Sequence, residues 1–298
     1  MDERMGDSSL PEGPGAGESL PRDIAQSLRN AAEALAPISE SPRLDAELLM
    51  AHALGITRSE LLLRHMRAAV PDTFAPLLAR RLAHEPVAYI IGMQEFYGLD
   101  FRVTPSVLIP RADSETLIEA ARTAFADRAP ARILDMGTGS GALLLAALSL
   151  WPDVQGVGID RSPEALAVAA SNADALGFAG RSQFFVADWT QKGWANGFSP
   201  FDLILANPPY VQTAADLAPQ VREFEPAGAL FAGVDGLDDY RIVIPQLFKL
   251  LAPGGVALVE IGATQAEAVA ALAGRAGLAA RLHRDLGDRP RALELVVY

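Results

Sequence analysis

The sequence predicts an α/β fold: a doubly wound, mostly parallel sheet preceded by a small all-α unit. Three observations predict it. From about residue 131, short apolar runs alternate with helix-length segments, the pattern of consecutive βαβ units. A glycine-rich turn, Gly137 to Gly141, stands between the first such strand and the helix after it. Upstream, residues 22 to 84 carry apolar residues at helical spacing.

Taken in order, residues 1–20 are rich in Gly, Pro, Ser and acidic side chains, which bury too little apolar surface to offset ordering entropy, and a disordered acidic tail is expected. Residues 21–86 are expected to form a helical bundle. Ile24, Leu28, Ala31 and Leu35 share one helix face. Ser41-Pro42 starts a second helix through Leu44, Leu48 and Ala51 that ends near Gly55. Thr57 with Glu60 is a capping-box pattern for a third, and a fourth runs from Pro71 to about His84. Residues 87–112, aromatic and β-branched with breaks at Gly92 and Gly98, read as a β-hairpin connector, and residues 113–298 as the main domain. Within it, strands are expected at "ARILDMG", "VQGVGID", "SQFFVAD", "FDLILAN" and "GVALVEIG", with helices from Ser140, from Ser162-Pro163, over 238–252 and near 264–276. The last two strands, "ARLHRDL" and "ALELVVY", are close enough to close the sheet as an antiparallel pair.

Composition removes several function classes. The chain has 298 residues, a net charge of −12 and no cysteine. An acidic chain is poorly suited to gripping a phosphate backbone, so direct nucleic-acid binding is not expected. Without cysteine there is neither a disulfide nor a thiolate metal site, which fits a reducing, cytoplasmic setting. No uncharged apolar run approaches the roughly 20 residues of a membrane span, so no membrane association is expected. His52, His65, His84 and His283 lack metal-ligand spacing, and no metal is expected. The chain is read as a monomer.

"ILDMGTGSGALLLAAL", residues 133–148, is a buried strand, a glycine turn and an apolar helix. Gly137, Gly139 and Gly141, with Thr138 and Ser140 between them, let a ligand approach the backbone and the N–H groups of the following helix. No Gly-Lys-Ser/Thr follows, which argues against a triphosphate site. Asp160 ends the second strand where a carboxylate can accept both hydroxyls of a ribose, as in either a dinucleotide or an S-adenosylmethionine site. Two details favour S-adenosylmethionine. Asp135 inside the turn would repel a pyrophosphate but suits the cationic methionine end. Asp188-Trp189, closing the third strand, offers an acceptor for an adenine amino group and an aromatic face for its ring.

The fourth strand ends in Asn207-Pro208-Pro209-Tyr210. An Asx-type turn with a packed tyrosine would explain these residues structurally. They also suit methyl transfer to a planar NH2 group, whose lone pair is conjugated and poorly nucleophilic. The Asn207 side-chain oxygen and the Pro208 carbonyl can each accept one N–H bond and aim the lone pair at a methyl donor, while Tyr210 gives a stacking surface.

Together these motifs resemble class I S-adenosylmethionine-dependent methyltransferases, with a Rossmann-like seven-stranded sheet, acting on planar amines. "PVAYIIGMQEFYGLDFRVTPSVLIPRADSETLIE", residues 86–119, and "VREFEPAGALFAGVDGLDDYR", residues 221–241, look like the flanking motifs of the HemK/PrmC family of release factor glutamine methyltransferases. That resemblance, running from about residue 22 to 298, implies an N-terminal helical domain for substrate recognition and N5-methylation of the glutamine in the Gly-Gly-Gln loop of peptide chain release factors. It implies that Gly137 to Gly141, Asp160, Trp189 and Asn207 contact S-adenosylmethionine and that Asn207 to Tyr210 hold the glutamine. The family's usual Pro-Arg-Pro-Glu/Asp-Thr-Glu stands here as Pro110-Arg111-Ala112-Asp113-Ser114-Glu115. It keeps Arg111 and Glu115, with Arg111 either orienting substrate or in a structural salt bridge with Glu115 or the Glu223/Glu225 segment. The alternatives are a glutamine methyltransferase of a ribosomal protein, a nucleic-acid amine methyltransferase and an inactive cofactor-binding module.

Overall fold

The computed structural model describes residues 23–298, so the expected tail at 1–20 lies outside the described residues. The chain divides into two compact units, the first ending at Leu82 and the second spanning Ala83–Tyr298.

In the first unit, Asp23 caps α1 (Ile24–Leu35) by accepting from Gln26 N at 2.8 Å. The helix buries Ile24, Leu28, Ala31 and Leu35, the face its spacing predicts. Helix α2 (Pro42–Leu54) starts with proline and ends on Gly55 at φ 66°, a left-handed position that glycine adopts without Cβ strain. Its buried face differs from the simplest apolar reading. Leu44 is exposed, whereas Asp45 and Glu47 are buried. The reason is charge pairing: Asp45 meets the buried Arg81 at 2.8 Å, and Glu47 accepts from Arg58 at 2.8 Å. Thr57 accepts from Glu60 N at 3.2 Å to cap α3 (Arg58–Glu60), which continues as a π turn over Leu61–His65. Helix α4 (Phe74–Leu82) completes the unit.

The second unit opens on a short helix, α5 (Val87–Ile91), where a strand was expected. Pro86 at its start and Gly92 at φ 76° bracket a single apolar turn that buries Ala88, Tyr89 and Ile90, so tertiary burial overrides the β-branched composition. The hairpin follows as β1 (Met93–Phe96) and β2 (Leu99–Arg102). Helix α6 (Glu115–Ala124) was absent from the sequence reading, although Leu117, Ile118 and Ala121 carry a helical spacing.

The main sheet has seven strands in the order β5-β4-β3-β6-β7-β9-β8: β3 (Arg132–Met136), β4 (Gln155–Asp160), β5 (Ser182–Val186), β6 (Phe201–Ala206), β7 (Leu251–Glu260), β8 (Leu278–Arg284) and β9 (Pro290–Val297). The pairings from β5 through β7 are parallel, and β9 is antiparallel to both β7 and β8, as the closing pair was expected to be. Helices α7 (Ala142–Leu150), α8 (Pro163–Ala175), α9 (Pro219–Arg222), α10 (Asp238–Leu250) and α11 (Ala266–Arg275) make the crossovers.

Strand alternation sorts the core into two layers. Ile133, Leu203, Leu205 and Leu258 pack with α6 and α7, while Leu134, Met136, Ile204 and Ala206 pack with α10 and α11. Chain order reverses between β3 and β6, and in open sheets of this kind ligands bind at the carboxyl ends of the strands flanking such a switch. The register pairs Met136 with Ala206, which sets the glycine turn and Asn207 side by side. No described helix is long and apolar enough to cross a membrane.

Candidate active site

A cavity of about 440 Å³ opens at this switch point, lined among others by Gly137, Asp160, Trp189, Asn207 and Pro209. Its size falls in the range of pockets that enclose a nucleoside-sized ligand.

The glycine turn is tied down by its own backbone. The N–H groups of Gly137 and Thr138 both donate to Ile159 O at 2.9 Å, and Gly139 N donates to Asp160 Oδ2 at 3.0 Å. Gly137, Gly139 and Gly141 have φ of 74°, 54° and 83°. A side chain at Gly137 would also crowd the Trp189 indole, whose ring atoms stand 3.1 Å from the place of its Cβ. The left-handed Gly141 delays α7 to Ala142, two residues later than expected. Asp160 is oriented from two sides, since its Oδ1 accepts from Ser162 N at 2.9 Å.

Asp135 does not reach the cavity wall. Alternation along β3 sends it to the α7 side beneath the turn, where it is 1% exposed. Thr138 Oγ1 donates to its Oδ2 at 2.6 Å, and its Oδ1 has no hydrogen-bond partner. Burial pushes its pKa up to about 7, against which the Thr138 bond works, and the neighbouring Asp160 charge adds to the rise. A buried carboxylate of this kind, lacking a cation, matches a ligand that brings positive charge to the turn.

Asp188 and Trp189 both line the cavity. Asp188 Oδ1 is occupied by the Thr190 hydroxyl and backbone N–H at 2.7 and 2.8 Å, and the Thr190 hydroxyl is the main reason its pKa is lowered. Trp189 donates through Nε1 to Asp239 Oδ1 at 3.0 Å, which fixes the indole plane. Asp239, at the start of α10, was missed by sequence reasoning, and only its place in the acidic run "DGLDDYR" hinted at it.

Just past the end of β6, Asn207 and Pro209 line the cavity, whereas Pro208 and Tyr210 are not part of its lining. Asn207 Nδ2 donates to Ser114 Oγ at 3.5 Å. The Tyr210 hydroxyl donates to Glu260 Oε1 at 3.3 Å, and the ring packs on the α10 and α11 layer. Tyr210 O accepts from Gln265 Nε2 at 3.1 Å. Burial raises the Tyr210 pKa, so its phenol stays protonated as a donor. Ser114, Glu260 and Gln265 come from distant parts of the chain; Ser114 lies in the Pro110 to Glu115 motif, whereas no local motif announces Glu260 or Gln265.

Arg111 pairs with Glu225, one of its expected partners, and lines the cavity rim. Glu115 instead accepts from Tyr97 N at 3.0 Å and holds the hairpin turn. Arg161, also missed, donates to Gly228 O at 2.8 Å across the cavity mouth.

The chemistry of these residues is compatible with S-adenosylmethionine: a buried carboxyl beneath the turn with one oxygen left without a partner, a carboxylate at the end of β4 and an indole face in the cavity. Residues 26–92 match the family model described as the PrmC N-terminal domain, and residues 128–279 match a methyltransferase domain. The chain is similar to the release factor glutamine methyltransferase of Bradyrhizobium diazoefficiens, 41% identical over 286 residues that make up 93% of this chain and 93% of the relative. It is also similar to the protein of the same name from Rhodospirillum rubrum, 44% identical over 260 residues, covering 85% of this chain and 78% of the relative.

Proposed function

The chain belongs to the release factor glutamine methyltransferases, and from that premise we propose that the cavity between β3 and β6 transfers a methyl group from S-adenosylmethionine to the side-chain amide nitrogen, N5, of the Gly-Gly-Gln glutamine of a peptide chain release factor. The observation that carries the assignment of roles is Asn207 at the β6 end. It stands beside the glycine turn, with its Nδ2 engaged by Ser114 and its oxygen left to accept.

When bound, S-adenosylmethionine supplies an electrophilic methyl on a sulfonium. In this reading the chain's residues bind and aim. Gly137 to Gly141 admit the methionine part against the backbone, Asp135 answers its positive charge from beneath, Asp160 takes the ribose hydroxyls, and Asp188 and Trp189 take the adenine. The Asn207 oxygen and the Pro208 carbonyl each accept one N–H of the glutamine amide. Two such bonds fix the nitrogen's orientation and favour pyramidalisation, which frees its lone pair from conjugation. Pro208 and Pro209 hold φ near its fixed value and stiffen the acceptors. Tyr210, which lies outside the cavity lining and is anchored through its hydroxyl to Glu260, supports the loop that carries Asn207 and Pro208. The nitrogen would gain the methyl as its bond to the sulfonium sulfur breaks, the electron pair staying on sulfur to leave the neutral thioether S-adenosyl-L-homocysteine, and would give up one N–H proton to water; no side chain in the cavity needs to act as a strong base.

The first unit is proposed to capture the release factor, since it carries no residue of the cavity. The test is mass spectrometry of the release factor's Gly-Gly-Gln peptide after incubation with enzyme and S-adenosylmethionine. A 14-dalton increase (one CH2, about the mass of a methyl replacing a proton) on glutamine is expected. Its absence there, or its appearance on a ribosomal protein or on nucleic acid instead, overturns the substrate assignment.

A further inference from the structure

Gln265 stands immediately before α11 and is buried at 9% exposure, yet it enters no step described above. Both ends of its carboxamide bond backbone groups. Nε2 donates to Tyr210 O at 3.1 Å and to Gly236 O at 3.1 Å, while Oε1 accepts from Gly262 N at 2.9 Å. Two carbonyls at one end and an N–H at the other leave a carboxamide a single orientation. The three segments can converge because two of them present a glycine. A Cβ at Gly262 would stand 2.8 Å from Oε1, and one at Gly236 would stand 2.8 Å from Nε2 and 2.4 Å from Tyr210 O. The loop after β6, the segment ahead of α10 and the end of β7 thus meet on one side chain.

Resting on the function proposed above, we propose that Gln265 is a positioning residue for methyl transfer: it clasps the far end of Asn207-Pro208-Pro209-Tyr210, so that the Asn207 oxygen and the Pro208 carbonyl stay placed for one NH2 group. At its near end this loop leaves β6, where Ala206 is held in register between Met136 and Val259. Between the ends, Pro208 and Pro209 have fixed φ. The rotation that remains lies around Tyr210, and the bond from Gln265 to the Tyr210 carbonyl removes it. Beyond that point backbone takes over, with Val211 N donating to Leu230 O at 2.8 Å and Val211 O accepting from Ala232 N at 2.9 Å. The demand on position 265 is specific. Asparagine is one methylene too short, and an ionised glutamate, which only accepts, would set oxygen against the Tyr210 and Gly236 carbonyls.

The experiment compares the full-length wild type with Gln265→Ala and Gln265→Glu. Alanine removes the clasp, whereas ionised glutamate keeps the acceptor for the Gly262 N–H and loses both donors. Hydrogen exchange of the Val211 and Gly262 backbone N–H groups is followed by NMR. This readout needs no methyl acceptor, so it stands even if the substrate assignment fails, and that failure would show separately as wild-type inactivity on the release factor. At neutral pH, Val211 exchange is expected to rise about tenfold or more in both variants, and Gly262 exchange in Gln265→Ala alone. On an active substrate, kcat is expected to fall about tenfold or more in both, with KM and cofactor Kd within about threefold. A residue that only buttressed α11 would separate neither the two exchange signals nor kcat from KM. In Gln265→Glu the deficit relative to wild type should shrink as pH is lowered, because the protonated carboxyl regains a donor. Unchanged Val211 exchange in Gln265→Ala, wild-type kcat in Gln265→Glu at neutral pH, or a deficit in that variant that ignores pH overturns the clasp. Should Gln265→Ala fail to fold, Gln265→Glu decides alone.

Discussion

The two strand ends that flank the switch point are built in opposite ways. The β3 end is held by backbone: three N–H groups of the glycine turn donate to Ile159 O and Asp160, both at the end of the adjacent β4. The β6 end is held by side chains, with Asn207 on Ser114, Tyr210 on Glu260 and Gln265 on the Tyr210 carbonyl. The difference teaches where each function can reside. A cofactor that is the same in every turnover suits a rigid backbone cradle, whereas orienting one particular NH2 group needs a side chain whose direction is set by others.

The contrast can be broken most severely at Asn207. Asn207→Ala removes an acceptor whose worth is realised in the transition state, so kcat should fall by about 10² to 10³. Cofactor affinity by calorimetry should change far less. A matching loss of cofactor binding would mean that the two ends are not separate in function.

At the β3 end the expectation reverses. Asp160→Ala removes both a ribose acceptor and the tie to Gly139 and Ser162, so cofactor Kd should weaken roughly ten- to a hundredfold. Saturating cofactor should restore most of kcat. An unaltered Kd would place the ribose elsewhere.

Gly137→Ala should act in the same direction, about tenfold on cofactor Kd. A Cβ there strains the left-handed backbone by roughly 1–2 kcal/mol and presses on the Trp189 indole. Trp189 fluorescence reports the displacement, and an unshifted spectrum with normal affinity would contradict it.

The mildest test concerns Asp135 and pH. Its pKa rises on folding from 3.8 to about 7, so between those values the native state holds a proton that the unfolded chain has released. Stability must then decline as pH increases through that window, the reverse of a salt-bridged aspartate. Asp135→Asn should flatten this slope in urea unfolding, and the variant should gain relative to wild type at alkaline pH. An unchanged slope in the variant would show that Asp135 does not take up a proton on folding in this window.

Much of this was legible in the chain because it is local. The helices α1 and α2, the Thr57 cap, the order of strands and helices and the glycine turn follow from periodicity, capping and the φ that only glycine takes freely, all set within a few residues. Where short-range signals compete with burial, they mislead or fall silent. Val87–Ile91 has strand composition but folds as a helical turn between Pro86 and Gly92, and α6 went unread although its apolar spacing was present. The sequence by itself also determined the acidic balance, the absence of thiol chemistry and the presence of Asn207-Pro208-Pro209-Tyr210 at a strand end. Only the tertiary structure decided what that end touches. It put Asp135 under the turn rather than on the cavity wall, chose Glu225 over Glu115 for Arg111, and brought Ser114 and Glu260 to the two polar residues of the β6 loop. The physical reason is that burial and the pairing of polar groups depend on which distant segments a strand register makes neighbours, and no local stretch of sequence encodes that.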